Sequence, residues 1–163
     1  AMVGGMDEIY GGKDTTGKLW KWTINLDQET CKEEQVDNKA CDFARVDDRL
    51  IGLKAKNGYA MAIDENAKTL TFGQFLYKFN LENNERIDHD LGNNVFGGEP
   101  VFVPKKYDSS EDDGWIMAIV FDGNINKSKL IIVDVENFDK KPICEVILPQ
   151  RVPFGAHGSW LTN

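Results

Sequence analysis

Apolar and polar residues alternate along this chain in short runs, and polar turn clusters break the pattern roughly every ten residues. That rhythm leaves little choice but sheet. Strand-like runs cover Leu19–Leu26, Cys31–Val36, Tyr59–Ile63, Leu70–Leu81, Arg86–Leu91, Pro100–Pro104, Trp115–Phe121, Leu130–Val135 and Ile143–Leu148. In Leu19-Trp20-Lys21-Trp22-Thr23-Ile24 and Leu76-Tyr77-Lys78-Phe79-Asn80-Leu81 the alternation is that of half-buried strands. Turn clusters such as Asp64-Glu65-Asn66, Glu82-Asn83-Asn84-Glu85 and Asp122-Gly123-Asn124 separate them. No amphipathic helix of ordinary length is present, so the expected class is all-β, built as antiparallel meanders.

The strands also group. Those starting at Pro100, Trp115, Leu130 and Ile143 predict one four-stranded unit, and Tyr59 to Leu91 predicts most of another. Four strands in ~40–45 residues is the spacing of a propeller blade. At that spacing the chain holds at most about three to four blades, fewer than most closed rings require. A partial β-propeller is therefore expected, with open sheet edges through which it would self-associate.

Bulk properties remove several function classes. The 163 residues carry 19 Lys and Arg against 27 Asp and Glu, a net charge of -8. Phosphate binding needs clustered positive charge, so a nucleic-acid partner is not expected. The longest apolar run, Trp115–Phe121, suits a buried strand rather than a membrane span. No secretory leader pattern is visible. Cys31, Cys41 and Cys144 are odd in number and lack metal-ligand spacing, which predicts a reduced, cytoplasmic setting. Asn126-Lys127-Ser128 matches a glycosylation acceptor only by chance. Residues 1–18 are set apart as a terminal segment, Ala1–Gly5 being partly an expression remnant, and 19–163 carry the fold.

Few residues invite chemistry. Gly12-Lys13-Asp14-Thr15-Thr16-Gly17-Lys18-Leu19 approaches a phosphate-binding loop, but Leu19 replaces the hydroxyl that meets magnesium and a strand follows. A hairpin turn is the better reading. Asp108–Asp113 lacks the alternating pattern of a calcium loop and is read as a solvated turn. Aromatics from Trp20 to Phe121 are read mostly as core. The histidines number two. His89, flanked by Asp88 and Asp90, is read as a solvated surface residue. His157 stands in Arg151-Val152-Pro153-Phe154-Gly155-Ala156-His157-Gly158, a stiff, uncrowded loop that aims its imidazole. Glu99, between Gly97-Gly98 and Pro100, is read as a carboxylate held in a tight place. Neither a Ser-His-Asp nor a Cys-His arrangement can be built from histidines so placed.

Gly98-Glu99-Pro100-Val101-Phe102-Val103-Pro104, the acidic loop ending Glu111-Asp112-Asp113-Gly114, and Leu148-Pro149 through Gly158 resemble the C-terminal part of the carotenoid cleavage oxygenase family. Upstream, Leu19–Leu26 resembles the strand entering that region. Cys41-Asp42-Phe43-Ala44-Arg45-Val46-Asp47 is similar to the family's acidic-Phe-Pro-Arg segment. Long motifs in the correct order over Leu19–Trp160 are far more specific than one short pattern.

The resemblance implies the C-terminal portion of a seven-bladed propeller with a non-haem Fe(II) on its axis, bound by four histidines. With O2 as co-substrate, that iron cleaves a conjugated double bond of a carotenoid or apocarotenoid. It places His157 as the last iron ligand. It places Glu99 outside the ligand sphere, accepting a hydrogen bond from another iron-bound imidazole, and Asp42 in a similar role, one methylene shorter than the usual glutamate. Ala44 replaces the usual proline. No counterpart of the other ligands exists here, so the segment alone is expected to be inactive and the complete protein to contact a membrane surface peripherally. The alternative is a non-catalytic, truncated β-sheet binding module.

Overall fold

The computed structural model describes residues 17–67, 71–155 and 157–161. The start of the Gly12–Leu19 motif, Leu70 and Ala156 lie outside them. Among the described residues there are ten strands: β1 (Lys18–Asn25), β2 (Thr30–Arg45), β3 (Asn57–Ile63), β4 (Phe72–Asn80), β5 (Arg86–Asp90), β6 (Val95–Phe96), β7 (Val101–Pro104), β8 (Gly114–Asp122), β9 (Lys127–Asp134) and β10 (Cys144–Ile147). One 3-10 turn, Asp48–Leu50, follows β2. Every pairing is antiparallel.

The strands form two sheets, ordered β1-β2-β3-β4-β5 and β10-β9-β8-β6, with β7 also paired to β8. The unit predicted from Pro100, Trp115, Leu130 and Ile143 is therefore a real sheet. Two blade-like sheets stand where strand spacing allowed up to four, because β2 is 16 residues long and serves two partners. Its first half pairs with β1 and its second half with β3. The polar stretch between, Asp37-Asn38-Lys39, is held by side-chain acceptors: Lys39 N–H donates to Asp37 at 2.7 Å, and Ala40 N–H to Glu65, 25 residues on, at 3.0 Å.

The main core lies between the sheets. Tyr59, Met61, Ile63 and Leu76 meet Phe102, Ile116, Ala118, Val120, Ile131 and Val133. Along β8 the even residues from Ile116 to Val120 are buried in that core, while Trp115, Met117, Ile119 and Phe121 face the other side. The second face of the first sheet is covered by its own ribbon, with Leu19 and Val36 packed over Ala60, Ala62, Tyr77 and Phe79.

Three sequence expectations change here, and one element is added. His89 is 1 % exposed rather than solvated: strand parity turns it inward, and its Nδ1 is 2.8 Å from the Phe138 carbonyl oxygen. The acidic loop is a clamp rather than a free turn. Glu111 accepts the N–H groups of Lys56 and Asn57 at 2.9 and 3.0 Å, and Asp112 accepts from Lys56 Nζ at 2.7 Å. Trp20 and Trp22 are 49 % and 65 % exposed, on the face of β1 opposite Leu19, so they are not core. Finally, β6 is an element too short for any alternation to reveal.

Candidate metal-ligand site

The chain after β10 returns across the second sheet as a strap. Ser128 secures its start, the hydroxyl accepting Val152 N–H at 2.9 Å, and Arg151 lies over the Phe121 ring with its guanidinium carbon 4.5 Å from the centroid. Phe154 then meets Phe72 of β4 edge-on, ring centroids 4.7 Å apart. The strap thus bridges both sheets, and it presents His157 at the surface with its side chain 76 % exposed.

Glu99 comes to the same place from the β6–β7 connection. Gly98 sets its position: a Cβ there would sit 2.2 Å from the Ile119 carbonyl oxygen, so only glycine lets this loop lie so close to β8. The Glu99 side chain is 8 % exposed. Its Oε1 is 2.9 Å from His157 Nδ1, and its Oε2 accepts Gly158 N–H at 2.6 Å. An ionised carboxylate only accepts, so Nδ1 is the donor in this contact, and in the neutral form of the ring the lone pair is on Nε2. The imidazole that meets Glu99 is therefore that of His157 itself, where the resemblance gave it another ring. The two loops meet across 58 residues because both lie on one face of β8.

Asp42 is exposed and meets no histidine among the described residues; its carboxylate accepts the N–H of Phe43 at 2.7 Å. That bond supports a bulge. The β2–β3 register shifts between Asp42 and Arg45, and Phe43 has φ 52°, a left-handed value a bulky side chain adopts only under constraint. The bulge turns the Phe43 ring to the site, 5.3 Å from the His157 ring and 5.9 Å from Phe72.

Arg45 was the residue sequence reasoning passed over, although it stands in the segment that carried the resemblance. Its Nη2 donates to both oxygens of Asp48 at 2.8 Å, and its Nη1 lies 3.3 Å from Glu99 Oε2 and donates to the Gly158 carbonyl. Burial opposes its charge, yet hydrogen bonding and charge from Asp48, then Glu99, hold the guanidinium above its ordinary pKa.

Beside His157 lies a cavity of about 270 Å³ lined by Val101, Val103, Met117, Ile119, Leu130 and Phe154, among others. Its lining is mostly apolar, with Glu99, His157, Ser128 and Ser159 as the polar side chains. Among the described residues no group of three or more His, Cys, Asp or Glu could hold a metal ion. What the site offers is one imidazole, oriented by a carboxylate, at the rim of a mostly apolar hollow. Such an arrangement fits a single ligand position of a metal shared with other chain segments.

The family profile described as retinal pigment epithelial membrane protein matches residues 4–162. Among curated relatives, the apocarotenoid-15,15'-oxygenase of Synechocystis sp. is 27 % identical over 144 residues, covering 88 % of this chain and 29 % of that protein. The carotenoid 9,10(9',10')-cleavage dioxygenase 1 of Pisum sativum is 30 % identical over 159 residues, covering 91 % and 29 %. The chain thus spans under a third of the length of these relatives. The crystal structure of the cobalt-substituted Synechocystis apocarotenoid oxygenase aligns with a TM-score of 0.81 at 26 % identity, over 90 % of this chain and 30 % of that one. The two sheets are accordingly part of a β-propeller, and with the profile spanning almost every residue, the chain belongs to the carotenoid cleavage oxygenase family.

Proposed function

We propose that this chain is the part of a non-haem Fe(II) dioxygenase that supplies the ligand His157, and that the complete protein cleaves one conjugated double bond of a carotenoid or apocarotenoid. The observation that carries this reading is the His157–Glu99 pair: Nδ1 is held by a nearly buried carboxylate on an otherwise exposed ring, which leaves Nε2 available to a metal. The relatives act on such polyenes by name, and one structural neighbour was crystallised with cobalt. Bound iron would supply O2 activation, each alkene carbon taking one oxygen to become a carbonyl.

The chain's own residues have definite work in that scheme. Glu99 fixes the tautomer and aim of His157. Phe43 packs edge-on against the imidazole and is backed by Phe72, which Phe154 meets in turn. The cavity lined by Val101, Met117 and Ile119 suits an uncharged, lipophilic substrate. Asp42 is left to serve a histidine from outside this chain. A lipophilic substrate also gives the complete protein reason to touch a membrane surface, although no helix among the described residues is long and apolar enough to cross one.

One donor cannot retain iron, so the 163-residue chain alone is expected to bind none and to turn over no polyene. The test is His157→Ala in the complete protein, followed by metal analysis and cleavage assay. Loss of both iron and turnover supports the reading. Full iron content with full turnover would remove His157 from the ligand set and favour the binding-module alternative for this segment.

A further inference from the structure

We propose that Arg45 is a positioning residue for the metal ligand, acting on His157 through Glu99 and through the Gly158 peptide. This rests on the reading of His157 as a ligand. The Gly158 peptide is held from both sides: its N–H donates to Glu99 Oε2 at 2.6 Å, and its carbonyl accepts from Arg45 Nη1. The same Nη1 lies 3.3 Å from Glu99 Oε2. Arg45 therefore closes a ring of contacts running Arg45–Glu99–Gly158, and the remaining oxygen of Glu99 is the one that faces His157 Nδ1 at 2.9 Å.

The second guanidinium nitrogen explains why arginine is needed. Nη2 is spent on both oxygens of Asp48, each at 2.8 Å, which fixes the guanidinium plane against the 3-10 turn. Nη1 is then presented toward the loop without further ordering. A lysine carries one nitrogen on a flexible stem and cannot serve Asp48, Glu99 and the Gly158 carbonyl from fixed directions. The Arg45 side chain is 17 % exposed and that of Glu99 8 %, so water competes weakly for these bonds. Without the guanidinium, Glu99 is free to rotate between Gly158 N–H and solvent, and His157 loses the constraint that keeps the proton on Nδ1. Arg45 is not among the residues lining the cavity beside His157, and a guanidinium has no lone pair to give a metal. Its role is to make the tautomer and aim of His157 single-valued.

The test uses the complete protein with Arg45→Lys, Arg45→Gln and, as a gentler change, Asp48→Asn, which keeps Arg45 but slackens its anchor. In metal-free protein with 15N-labelled histidine, ring nitrogen shifts report the tautomer of His157, assigned by its disappearance in His157→Ala. His89, buried on the Phe138 carbonyl, is the internal reference. Wild type is expected to show one Nδ1–H species. Both Arg45 variants are expected to show a tautomer mixture at His157 with His89 unchanged, and Asp48→Asn a smaller mixture. Loss of iron to a chelator should quicken by about 10–100-fold in the Arg45 variants, and Arg45→Lys should not rescue it. If Arg45→Gln fails to fold, Arg45→Lys and Asp48→Asn decide the matter.

A wild-type tautomer and wild-type iron loss in the folded variants would overturn the proposal, as would full rescue by lysine. The tautomer readout needs no metal. If His157→Ala keeps its iron while the Arg45 variants scramble the tautomer, the ligand reading fails and the positioning of the imidazole stands.

Discussion

Gly98 and Cys41 show how single residues make testable statements. A methyl group at position 98 would meet the Ile119 carbonyl, and backbone yields far less readily than a side chain. Gly98→Ala is expected to cost about 1–3 kcal/mol, seen as an earlier denaturant midpoint, and to loosen Glu99 with it. Cys41 is buried while Cys31 and Cys144 are exposed, and burial first, then the charges of Asp37 and Asp42, pushes its thiol up to about 11 from 9.0. At neutral pH an alkylating agent should modify Cys31 and Cys144 and spare Cys41 until the protein unfolds; intact-mass and peptide analysis would show it. The same shift has a stability sign. The folded state holds the Cys41 proton more tightly than the unfolded state, so its contribution is fully present below pH 9.0 and is lost as the pH rises toward about 11. Of the candidate site residues, His157 and Glu99 were legible from loop composition and motif. Arg45 was not, because its task depends on Gly158, 113 residues away, and no local pattern encodes that meeting.

At the scale of elements, alternation located most strands to within a residue or two, since burial on one face imposes a period of two on the sequence. It failed where that cause was missing. The middle of β2 is polar and held by side chains such as Asp37 and Glu65 rather than by apolar packing, so it gave no alternation, and β6 is only two residues long. The acidic loop before β8 looked like solvent-facing charge because its partners, Lys56 and Asn57 at the start of β3, lie far away in sequence. Glu111→Ala would leave those two backbone N–H groups without their carboxylate acceptor. The expected loss is about 1–3 kcal/mol, with faster hydrogen exchange confined to the beginning of β3. Asp112 adds a pH dependence to this clamp. Hydrogen bonding from Lys56 outweighs burial and holds its carboxyl below the ordinary value. Its stabilisation is therefore present above the ordinary carboxylate range and falls away as the solution is acidified through the lowered folded value; exchange rates at Lys56 and Asn57 should rise in step.

At the scale of the whole molecule, the outstanding feature is apolar surface left without a partner. Trp20, Trp22, Ile24 and Leu26 are 49 %, 65 %, 64 % and 85 % exposed, and among the described residues β1 is the edge strand of its sheet. Exposed strand edges carrying apolar side chains promote association. The 163-residue chain on its own should show a mass that climbs with concentration in light scattering, and Trp20→Lys with Trp22→Lys should return it toward 18.4 kDa. Unchanged association in that double variant would move the contact to another face. The strap has a consequence in time as well as in space. His157 follows both sheets in the chain, so a ribosome releases the socket built from Arg45 and Glu99 before the imidazole that plugs into it. Under the proposed function, the ligand position is completed only after the sheets it bridges have been made, and metal capture at His157 would thereby certify that this part of the protein is already folded.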